Sequence, residues 1–443
     1  MSMFNYKRLK DYYGEKSIFF LRNSLRISLR SLGLSFFFLF LSFTFTFAKN
    51  IDVGNHFPFH TLKDAIAFAD SGDVIYVHGG IYKEGNIIIK KSITLCGIQQ
   101  PVIDGGYKDE VITITANNVI LDGFVIQHSG RSDLKEIAGI HLLHVHNVLI
   151  ADNELLFNFF SLVLDESVSC IIINNKIMSN ASTEASSGNG IHCWKSSNLT
   201  IESNTISGQR DGIYFEFVTN SYVKNNRSEK NLRYGIHFMF SNYDTYIRNT
   251  FRNNGSGVAV MYSHHVNMYH NTFEKNGGGA AYGLLLKELT DSKIIANQFS
   301  ENTTGIFLEG TSRSRFERNQ IHSNGWALKI LGDCYSDTIV ENNFSGNTFD
   351  VTTNSNENQN LFSKNYWDKY RGYDLNRDGI GDVPFRPVSL YSKLVETVPN
   401  SVLLLHSFFV NVLDQTEKIL PSITPEQFRD DSPKMKPYDL AAH

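Results

Sequence analysis

The sequence predicts an all-β protein, a right-handed parallel β-helix of about twelve coils. Three observations lead to this fold class: a short motif recurs at a nearly constant period, apolar residues alternate within each repeat, and Asn clusters along the chain. Gly is also frequent, with 32 residues, whereas there are only 9 Pro. Asn and Gly are poor residues for helix interiors and good residues for turns. A chain of this composition therefore favours a solenoid with many turns over a helical protein.

The repeat is centred on an asparagine. In most units this Asn is followed by any residue and then by Ile or Phe, and a Gly-Ile pair or a relative comes a few residues later. Most neighbours in the series are 22 or 23 residues apart, and two larger gaps mark insertions around residues 183–187 and 277–281. This period fits one coil of three short strands, and stacked Asn side chains can form ladders. Leucine-rich repeats have a similar length but require Leu at fixed offsets, which this sequence lacks. The repeating asparagines are Asn153, Asn175, Asn204, Asn226, Asn249, Asn271, Asn297, Asn319, Asn342 and Asn365.

Alternation within the repeat predicts which side chains face the core. After Gly235, Ile236 and Phe238 should point inward, and His237 and Met239 should point outward. The coils that begin at Gly212, Gly257, Gly283 and Gly305 follow the same rule. Neighbouring strands in such a stack lie about 4.8 Å apart. Residues one period apart should therefore be lateral neighbours on the surface.

The N-terminal region, residues 1–48, is interpreted as a secretory signal peptide. Basic residues precede an apolar run over residues 32–47, and Ala48 follows as part of a small-residue cleavage site. The run is shorter than the roughly 20 apolar residues of a membrane span. An uncleaved anchor is the alternative. Both interpretations place the rest of the chain outside the cytoplasm.

The β-helix is assigned to residues 49–386. Thr61 and Asp64 resemble a capping box, which predicts a short helix to about Asp70 that caps the N-terminal end. Coils are then expected from about Val74 to about Pro384. Many β-helices of the pectate-lyase type open in this way.

The C-terminal region, residues 387–443, has a different character. An apolar helix of about twenty residues is predicted to start at Pro399 and to end at Pro421. It is either a cap across the last coil or a docking segment for a membrane partner. The charged tail after residue 426 is expected to be extended or disordered. The residues assigned to docking are Leu403, Leu404, Phe408, Phe409 and Leu413.

Charge and cysteine content exclude some functions. Without residues 1–48 the chain has 34 basic and 43 acidic residues, a net charge of -9, which disfavours nucleic acid as a partner. The four cysteines show no C-x-x-C pair and no zinc-type spacing. They are interpreted as small buried apolar residues, and their disulfide status is left open. The cysteines are Cys96, Cys170, Cys193 and Cys334.

Several long motifs go beyond a generic β-helix, and they lie at residues 210–220, 231–244, 281–287, 325–330, 366–374 and 387–390. Together these motifs resemble the NosD family. The resemblance extends from about residue 50 to about residue 430. It implies a periplasmic protein that supports assembly of the copper centres of nitrous oxide reductase and is not itself an enzyme. The partners it implies are an ABC transporter with permease and ATPase, a membrane-anchored copper-binding lipoprotein, and the reductase.

Copper favours thioether and imidazole ligands, and counting along the coils predicts where such side chains gather. Residues four positions after the glycine of each coil are expected to form one outward-facing column. Residues two positions after the same glycines are expected to form a second column. The hypothesis is that this strip is a transient copper contact or the surface that docks a copper-carrying partner. The alternative is an aromatic and Met-rich binding face, or a face covered by a loop. The strip comprises His192, His237, Met239, Met261 and His264, with Tyr214 and His141 in the same column as the histidines.

A second candidate site is a calcium loop near the end of the coils. Asp374, Asn376 and Asp378 occupy the first, third and fifth positions of an EF-hand-type loop, and Asp382 occupies the ninth. Phe385 stands where a bidentate Glu is expected, so the set of oxygen ligands is incomplete. A turn with ordinary hydrogen bonds is the alternative.

The competing functional class is a polysaccharide lyase, hydrolase or epimerase, because β-helices often carry such sites. These enzymes need carboxylates and a base arranged over several coils. Glu216, Lys287 and Glu309 should lie in one column, and Asp211 should lie close by. The sequence shows no tight acidic cluster, which disfavours this class.

Overall fold

The computed structural model describes residues 48–132, 134–278, 281–419 and 424–439. Nearly all of the predicted signal peptide, residues 1–47, lies outside the described residues. In the described part of the chain, parallel strands form three sheets of 14, 12 and 13 strands. Successive coils add one strand to each sheet, so strands that are hydrogen-bonded neighbours lie about one coil apart in sequence. The predicted parallel β-helix is therefore confirmed.

The bounds of the strands follow the three sheets in order. The first sheet contains Asn50–Val53, Val74–His78, Thr94–Ile98, Ile120–Asp122, Leu149–Ala151, Ile171–Ile173, Thr200–Glu202, Tyr222–Lys224, Thr245–Ile247, Asn267–Tyr269, Lys293–Ile295, Arg315–Glu317, Tyr335–Val340 and Gln359–Ser363. The second sheet contains Ile87–Ile89, Ile112–Ile114, Ala138–Leu143, Phe160–Asp165, Ile191–Trp194, Ile213–Glu216, Tyr234–Met239, Ser256–His264, Tyr282–Thr290, Thr304–Glu309, Trp326–Ile330 and Phe349–Thr352. The third sheet contains Ile81–Tyr82, Val102–Asp104, Val125–Gln127, Glu154–Leu156, Lys176–Met178, Thr205–Ser207, Arg227–Glu229, Thr250–Arg252, Thr272–Glu274, Gln298–Ser300, Gln320–His322, Asn343–Ser345 and Tyr366–Trp367.

The core is a column of apolar side chains that stack from coil to coil. Ile236 pairs with Val258, and both are buried, as is Phe238 on the same strand. Aromatic rings continue the column inside the third sheet, where Phe273 stacks on Phe299 with ring centroids 4.5 Å apart. Each fully buried side chain of this size contributes about 1.5–3 kcal/mol relative to exposure. The predicted inward direction of Ile236 and Phe238 is confirmed.

The coil glycines are required by close packing. A Cβ atom at Gly235 would lie 2.7 Å from the carbonyl oxygen of Gly257 and 3.0 Å from the Asn254 side-chain nitrogen. Real Cβ atoms do not approach a backbone oxygen so closely. The glycine of the Gly-Ile motif therefore allows adjacent coils to approach at this corner.

The predicted asparagine ladder is present and fully hydrogen-bonded. Asn249 Oδ1 accepts from the backbone N–H of Asn226 at 2.9 Å and from its side-chain amide at 3.0 Å. The Asn249 amide in turn donates to the Val223 carbonyl at 2.8 Å. These bonds satisfy buried backbone groups at the turn, as the interior of a protein demands.

A second ladder of buried asparagines lies beside the coil glycines. The sequence analysis considered only the first series, although this one has the same spacing. Asn254 Oδ1 accepts from the backbone and side-chain amides of Asn231 at 3.0 Å each. The second ladder comprises Asn231, Asn254, Asn276, Asn302, Asn324 and Asn347.

The coils begin earlier than predicted, and their number is higher. The first sheet has 14 strands, so about twelve coils was too few. Strand Asn50–Val53 pairs with Val74–Val77 and precedes the predicted cap helix, which spans Leu62–Phe68. The expected position of this helix before the first coil is therefore wrong. The predicted helix cap is present, since Thr61 Oγ1 accepts from the Asp64 N–H at 3.1 Å.

The prediction of a single C-terminal helix from Pro399 to Pro421 is wrong. The described chain forms an α-helix at Leu390–Thr397, a 3-10 helix at Pro399–Leu404 and an α-helix at Phe408–Ile419. Leu405 leaves the helical conformation, with ψ of 133°, and His406 adopts a left-handed conformation with φ of 65°, so the apolar run is broken. Pro421 lies outside the described residues. The sequence pattern missed the break because the residues on both sides are equally apolar.

The C-terminal segments pack on the end of the β-helix. Tyr391, Val395 and Val410 form a buried cluster with Phe349 of the second sheet. The tail is ordered as well, because Asp430 and Lys434 pair with Phe362 and Tyr366 as isolated parallel bridges. Of the two expectations for the tail, an extended chain agrees with these bridges, whereas disorder does not apply to residues 426–439.

The four cysteines are free thiols in the structure. Cys170, Cys193 and Cys334 are buried, and Cys96 is partly buried. Burial raises the pKa of the Cys170 thiol to about 11, because the thiolate is disfavoured away from water. This agrees with the interpretation of the cysteines as apolar residues.

Candidate functional site

The second sheet carries the strip that the coil spacing predicts. Met239 and Met261 are register partners on adjacent strands, and both side chains are half-buried. The same column continues to Glu216 on one side and to Lys287 and then Glu309 on the other. The predicted neighbourhood of the two methionines is therefore confirmed. Two thioethers lie side by side on the outer face of the β-helix.

The parallel column contains the two predicted histidines. His192 pairs with Tyr214, and Tyr214 pairs with His237. Their rings form a continuous series, with centroids 4.8 Å and 5.1 Å apart. The next residue of this column is Ala259, so a small side chain follows the ring of His237. These imidazoles lie on the outer side of the sheet, as predicted, but they are covered by neighbouring side chains, since His192 is 5% exposed and His237 is 6% exposed.

Burial changes the chemistry of both histidines. Desolvation lowers the pKa of His192 to about 4, so this imidazole is neutral at physiological pH. His237 Nε2 is buried without a hydrogen-bond partner. Its other nitrogen, Nδ1, lies 3.9 Å from Oδ2 of the fully buried Asp211. A buried nitrogen without a protein partner can accept a water molecule or a ligand as its partner.

Tyr214 connects the two columns. Its hydroxyl lies 3.4 Å from Glu216 Oε2 and 3.6 Å from Met239 Sδ, within donating distance of both. Desolvation and the neighbouring Glu216 raise the pKa of Tyr214 to about 12. The phenol therefore keeps its proton at neutral pH and acts as a donor toward the carboxylate and the sulfur.

An exposed aromatic ridge borders the methionines, and the sequence analysis did not single it out. It consists of Phe217, Phe240 and Tyr262, which directly follow Glu216, Met239 and Met261 in sequence. Adjacent rings are stacked with centroids 5.2 Å apart. The side chains are 45%, 38% and 44% exposed. The repeated aromatic residue at this offset was the signal that could have revealed the ridge.

The structure does not group His264 with the two methionines. Tyr262, in a left-handed conformation with φ of 54°, turns the chain between Met261 and His264. His264 pairs with Thr290, and its ring contacts His265 and Tyr243. The predicted strip therefore divides into a methionine–histidine group and a separate histidine pair.

His141 is the earlier member of the histidine column and forms an ion-pair network. Its two ring nitrogens lie 2.7 Å from Glu110 Oε1 and 2.8 Å from Asp165 Oδ2. Desolvation opposes the charged imidazole, but the hydrogen bonds to Asp165 and Glu110 outweigh it and raise the pKa of His141 to about 9. His141 is therefore protonated at neutral pH.

This network predicts a loss of stability as the pH rises. A pKa raised from 6.5 to about 9 stabilises the fold fully below pH 6.5 and loses that contribution as the pH approaches 9. The contribution is of order 3 kcal/mol. Urea unfolding of wild type and His141→Gln at several pH values from 6 to 10 measures it. The exposed His146→Gln variant is the control, and parallel profiles for His141→Gln and wild type would contradict the assignment.

The side-chain oxygens of the predicted calcium loop accept hydrogen bonds from the backbone of the same loop. Asp374 Oδ2 accepts from the Gly379 N–H at 2.8 Å, and Asp378 Oδ1 accepts from the Ile380 N–H at 2.8 Å. Asp382 Oδ2 accepts from the Leu375 N–H at 2.6 Å, and Asn376 Oδ1 accepts from the Asp378 N–H at 3.1 Å. Among the described residues, no group of three or more His, Cys, Asp or Glu is placed to hold a metal ion.

The C-terminal docking residues lie on an exposed apolar surface. Leu403 is 85% exposed and Phe408 is 82% exposed, and Leu404 and Phe409 are also exposed. Leu413 is partly buried and packs against the cluster that holds the helices to the last coil. The segment thus caps the β-helix with one face and presents an apolar face to solvent. None of the helices in the described ranges is long and apolar enough to cross a membrane.

Comparison with known proteins gives one matching family model and two named proteins of similar sequence. The family model described as periplasmic copper-binding protein (NosD) matches residues 178–375. The chain is 26% identical over 371 residues to a Pseudomonas aeruginosa protein called "Probable ABC transporter binding protein NosD", an alignment that covers 80% of this chain and 86% of the relative. A Stutzerimonas stutzeri protein of the same name is 26% identical over 173 residues, which cover 35% of this chain and 40% of the relative.

Similar solved structures include a surface adhesin and an epimerase module. PfbA, an adhesin of Streptococcus pneumoniae, aligns with a TM-score of 0.52 and 15% identity over 66% of this chain and 89% of its own. The A-module of the Azotobacter vinelandii mannuronan C-5 epimerase AlgE6 gives a TM-score of 0.43 and 14% identity over 68% of this chain and 86% of its own. Similarity at the level of PfbA shows the fold alone.

Proposed function

We propose that the chain is a member of the NosD family, that it is a periplasmic accessory protein for copper-centre assembly of nitrous oxide reductase, and that it catalyses no reaction itself; the match to the NosD family model over residues 178–375 supports this. In this proposal it acts with an ABC transporter, comprising permease and ATPase, and with a membrane-anchored copper-binding lipoprotein. It is held at the inner membrane through the transporter. Copper is its cargo. The observation that carries the proposal is the Met239–Met261 pair beside His237 and the aromatic ridge.

The donor atoms at this face suit Cu(I). Thioether sulfur and neutral imidazole nitrogen are soft or borderline ligands that copper prefers over oxygen. His237 and Met239 lie two residues apart on one strand, so both side chains leave the same face of the sheet. The unpartnered Nε2 of His237 is a third donor beside the two sulfurs, although neighbouring side chains must move to expose it.

The aromatic ridge offers a docking surface next to these donors. Exposed aromatic side chains and methionines are enriched at the centres of protein interfaces. A copper-carrying partner that covers Phe217, Phe240 and Tyr262 would bring its own metal site next to Met239 and Met261. The exclusion of water around the ridge would then favour transfer of the ion between soft ligands.

Removal of both thioethers tests the copper contact. Met239→Ala combined with Met261→Ala is expected to weaken Cu(I) binding by about tenfold or more, about 1.4 kcal/mol, because the site loses its two sulfur donors. Competition with a chromophoric Cu(I) chelator under reducing conditions measures the affinity. Met178→Ala is the matched control, since Met178 is also half-buried but pairs with Leu156 and Ser207. Equal affinities for the double variant and wild type would remove the ligand role.

The exposed C-terminal surface is proposed to dock on the transporter permease. Its apolar side chains are contributed by the segments that also cap the last coil, so binding there would couple the permease directly to the β-helix. Phe408 and Leu403 carry most of the exposed area of this surface. Large exposed apolar patches of this kind mark sites of association.

Charge introduced on this surface is expected to abolish association. Leu403→Glu with Phe408→Glu should prevent co-purification with the permease from detergent-solubilised membranes, because burying two carboxylates in an apolar interface is unfavourable. The melting temperature should stay near that of wild type, since both side chains are exposed. Ile81→Glu, at another exposed apolar residue, is the control. Retention of the permease by the double variant would contradict this docking surface.

A polysaccharide-acting enzyme is the second candidate function. The column of His192, Tyr214 and His237, with Glu216 beside it, supplies groups that could transfer protons. Two observations disfavour it: both imidazoles are buried, and Lys287 is neutralised by Glu309 at 2.7 Å. Release of unsaturated uronates from polyuronate substrates by the purified protein would support the enzyme and oppose the accessory role.

Calcium binding by the loop at Asp374, Asn376, Asp378 and Asp382 stays a separate proposal. The oxygens of this loop now accept hydrogen bonds from its own backbone. Bound calcium would have to compete with these bonds, so we propose at most a weak site.

A further inference from the structure

The backbone of two adjacent histidines is held by hydrogen bonds at the turn between the second and first sheets. The His264 backbone N–H donates to Asn242 Oδ1 at 2.8 Å, and the His265 N–H donates to the Thr290 carbonyl at 3.1 Å. His265 has a left-handed conformation with φ of 56°. This backbone geometry directs both rings to the same side of the turn. The position of the pair is therefore set by the backbone of the coil and not by a free loop.

The two imidazole rings face each other through their Nδ1 atoms, which lie 2.9 Å apart. The rings are nearly perpendicular, with an interplanar angle of 85°. Two lone pairs would repel at this distance, so one Nδ1 carries a hydrogen and the other accepts it. Both rings are accessible to solvent, His265 more than His264.

The aromatic ring of Tyr243 beside the pair favours a cation. Tyr243, His265 and Asp291 occupy the same turn position in consecutive coils, because each donates its N–H to the corresponding carbonyl of the next coil. The ring of Tyr243 stacks on His265 with centroids 4.8 Å apart. On the other side Asp291 is an anion at neutral pH, since the hydrogen bond to Arg313 lowers its pKa to about 2. The aromatic face of Tyr243 stabilises positive charge beside it, whereas the Asp291 carboxylate is already paired with Arg313 at 2.7 Å.

We infer that His264 and His265 form a second cargo site that binds one Cu(I) ion between their Nδ1 atoms. The inference rests on the proposed function in one respect, that copper is the cargo. The ion takes the place of the shared hydrogen, which moves to Nε2 of the same ring through water, so no net proton is released. The rings must rotate apart to admit the ion, and their exposure at the surface permits this.

The number of ligand atoms at the pair indicates which metal ion it can bind. In the described residues no third His, Cys, Asp or Glu completes a metal cluster here. Zinc usually takes three or four protein ligands, and calcium takes six or more oxygens. Imidazole nitrogen is a suitable ligand for copper. Cu(I), a monovalent ion that accepts two nitrogen ligands, is therefore the ion that this pair can hold.

Silver titration tests the inference without redox chemistry. Silver nitrate, a redox-inert analogue of Cu(I), is added to the full-length protein, and the histidine ring signals are followed by NMR together with the calorimetric stoichiometry. Wild type is expected to bind one more silver ion per chain than His264→Gln with His265→Gln. The exposed His56→Gln variant is the control and should keep the wild-type stoichiometry.

The variants separate this inference from the proposed function. Met239→Ala with Met261→Ala should keep the silver ion assigned to the histidine pair. If the histidine variant binds as many ions as wild type, with unchanged affinity, the histidine site is wrong while the methionine contact can still stand. If only the histidine variant loses binding, the pair is confirmed and the methionine contact is wrong. Equal thermal unfolding midpoints for all variants exclude a folding defect as the cause.

Discussion

Asp430→Ala is expected to release the C-terminal tail from the end of the β-helix. Asp430 is fully buried, and its Oδ2 accepts from the Asn365 backbone at 2.9 Å, the Asn365 amide at 3.0 Å and Trp367 Nε1 at 3.1 Å. Its Oδ1 accepts from the N–H groups of Lys364 and Ser432, at 3.1 Å each. The carboxylate therefore ends the asparagine ladder by taking the place of the next asparagine.

The cost of this substitution should be large because several buried donors lose their acceptor together. At about 1–3 kcal/mol for each unsatisfied group, we expect a loss of about 4–6 kcal/mol in the local stability of the last coil. Amide hydrogen exchange at Asn365 and limited proteolysis of the tail measure this loss.

Two further variants make the result specific to the Asp430 carboxylate. Asp431→Ala, which removes an exposed carboxylate one residue away, is the control and should leave exchange unchanged. Asp430→Asn should give an intermediate effect because it keeps one oxygen acceptor. Wild-type protection in Asp430→Ala would show that the tail is held by other contacts.

Asn297→Ala is expected to destabilise the middle of the β-helix by about 3–5 kcal/mol. Asn297 Oδ1 accepts from the Asn271 backbone at 2.9 Å and from its side-chain amide at 3.0 Å, and the Asn297 amide donates to the Met268 carbonyl at 2.9 Å. Alanine leaves these groups buried without partners, and water has no access to replace them.

The effect should be confined to neighbouring coils, because each coil contacts mainly the coils on either side. Hydrogen exchange should accelerate most at Asn271 and little at coils far from it. Lys293→Ala, an exposed residue of the same coil, is the control and should change stability by less than about 0.5 kcal/mol. A uniform loss of protection along the whole chain would contradict this nearest-neighbour behaviour.

The methionine pair illustrates what a period can predict. Met239 and Met261 are 22 residues apart, and the structure places them in register as the spacing requires. The prediction succeeded because neighbouring coils are nearly identical, so a sequence offset becomes a lateral distance. The same logic predicted the inward Ile236 and Phe238 and the first asparagine ladder.

The histidines show what the period leaves undetermined. His192 and His237 were predicted to point away from the core, yet both are buried. Their burial depends on rings from adjacent coils and neighbouring positions, including Phe160 and Tyr234, whose conformations a repeat pattern does not specify. The separation of His264 from the methionines has a similar cause, since the left-handed turn at Tyr262 was not visible in the alternation.

The amino-acid sequence by itself determined the solenoid, its inner face and the columns on its surface, because these depend on interactions between residues one coil apart. Only the tertiary structure decided the burial of the histidines, the break in the C-terminal helix and the attachment of the tail through Asp430. Asp430 lies 65 residues after its partner Asn365. Such contacts join segments outside the repeat, where the pairing is set by three-dimensional packing and no regular spacing encodes it.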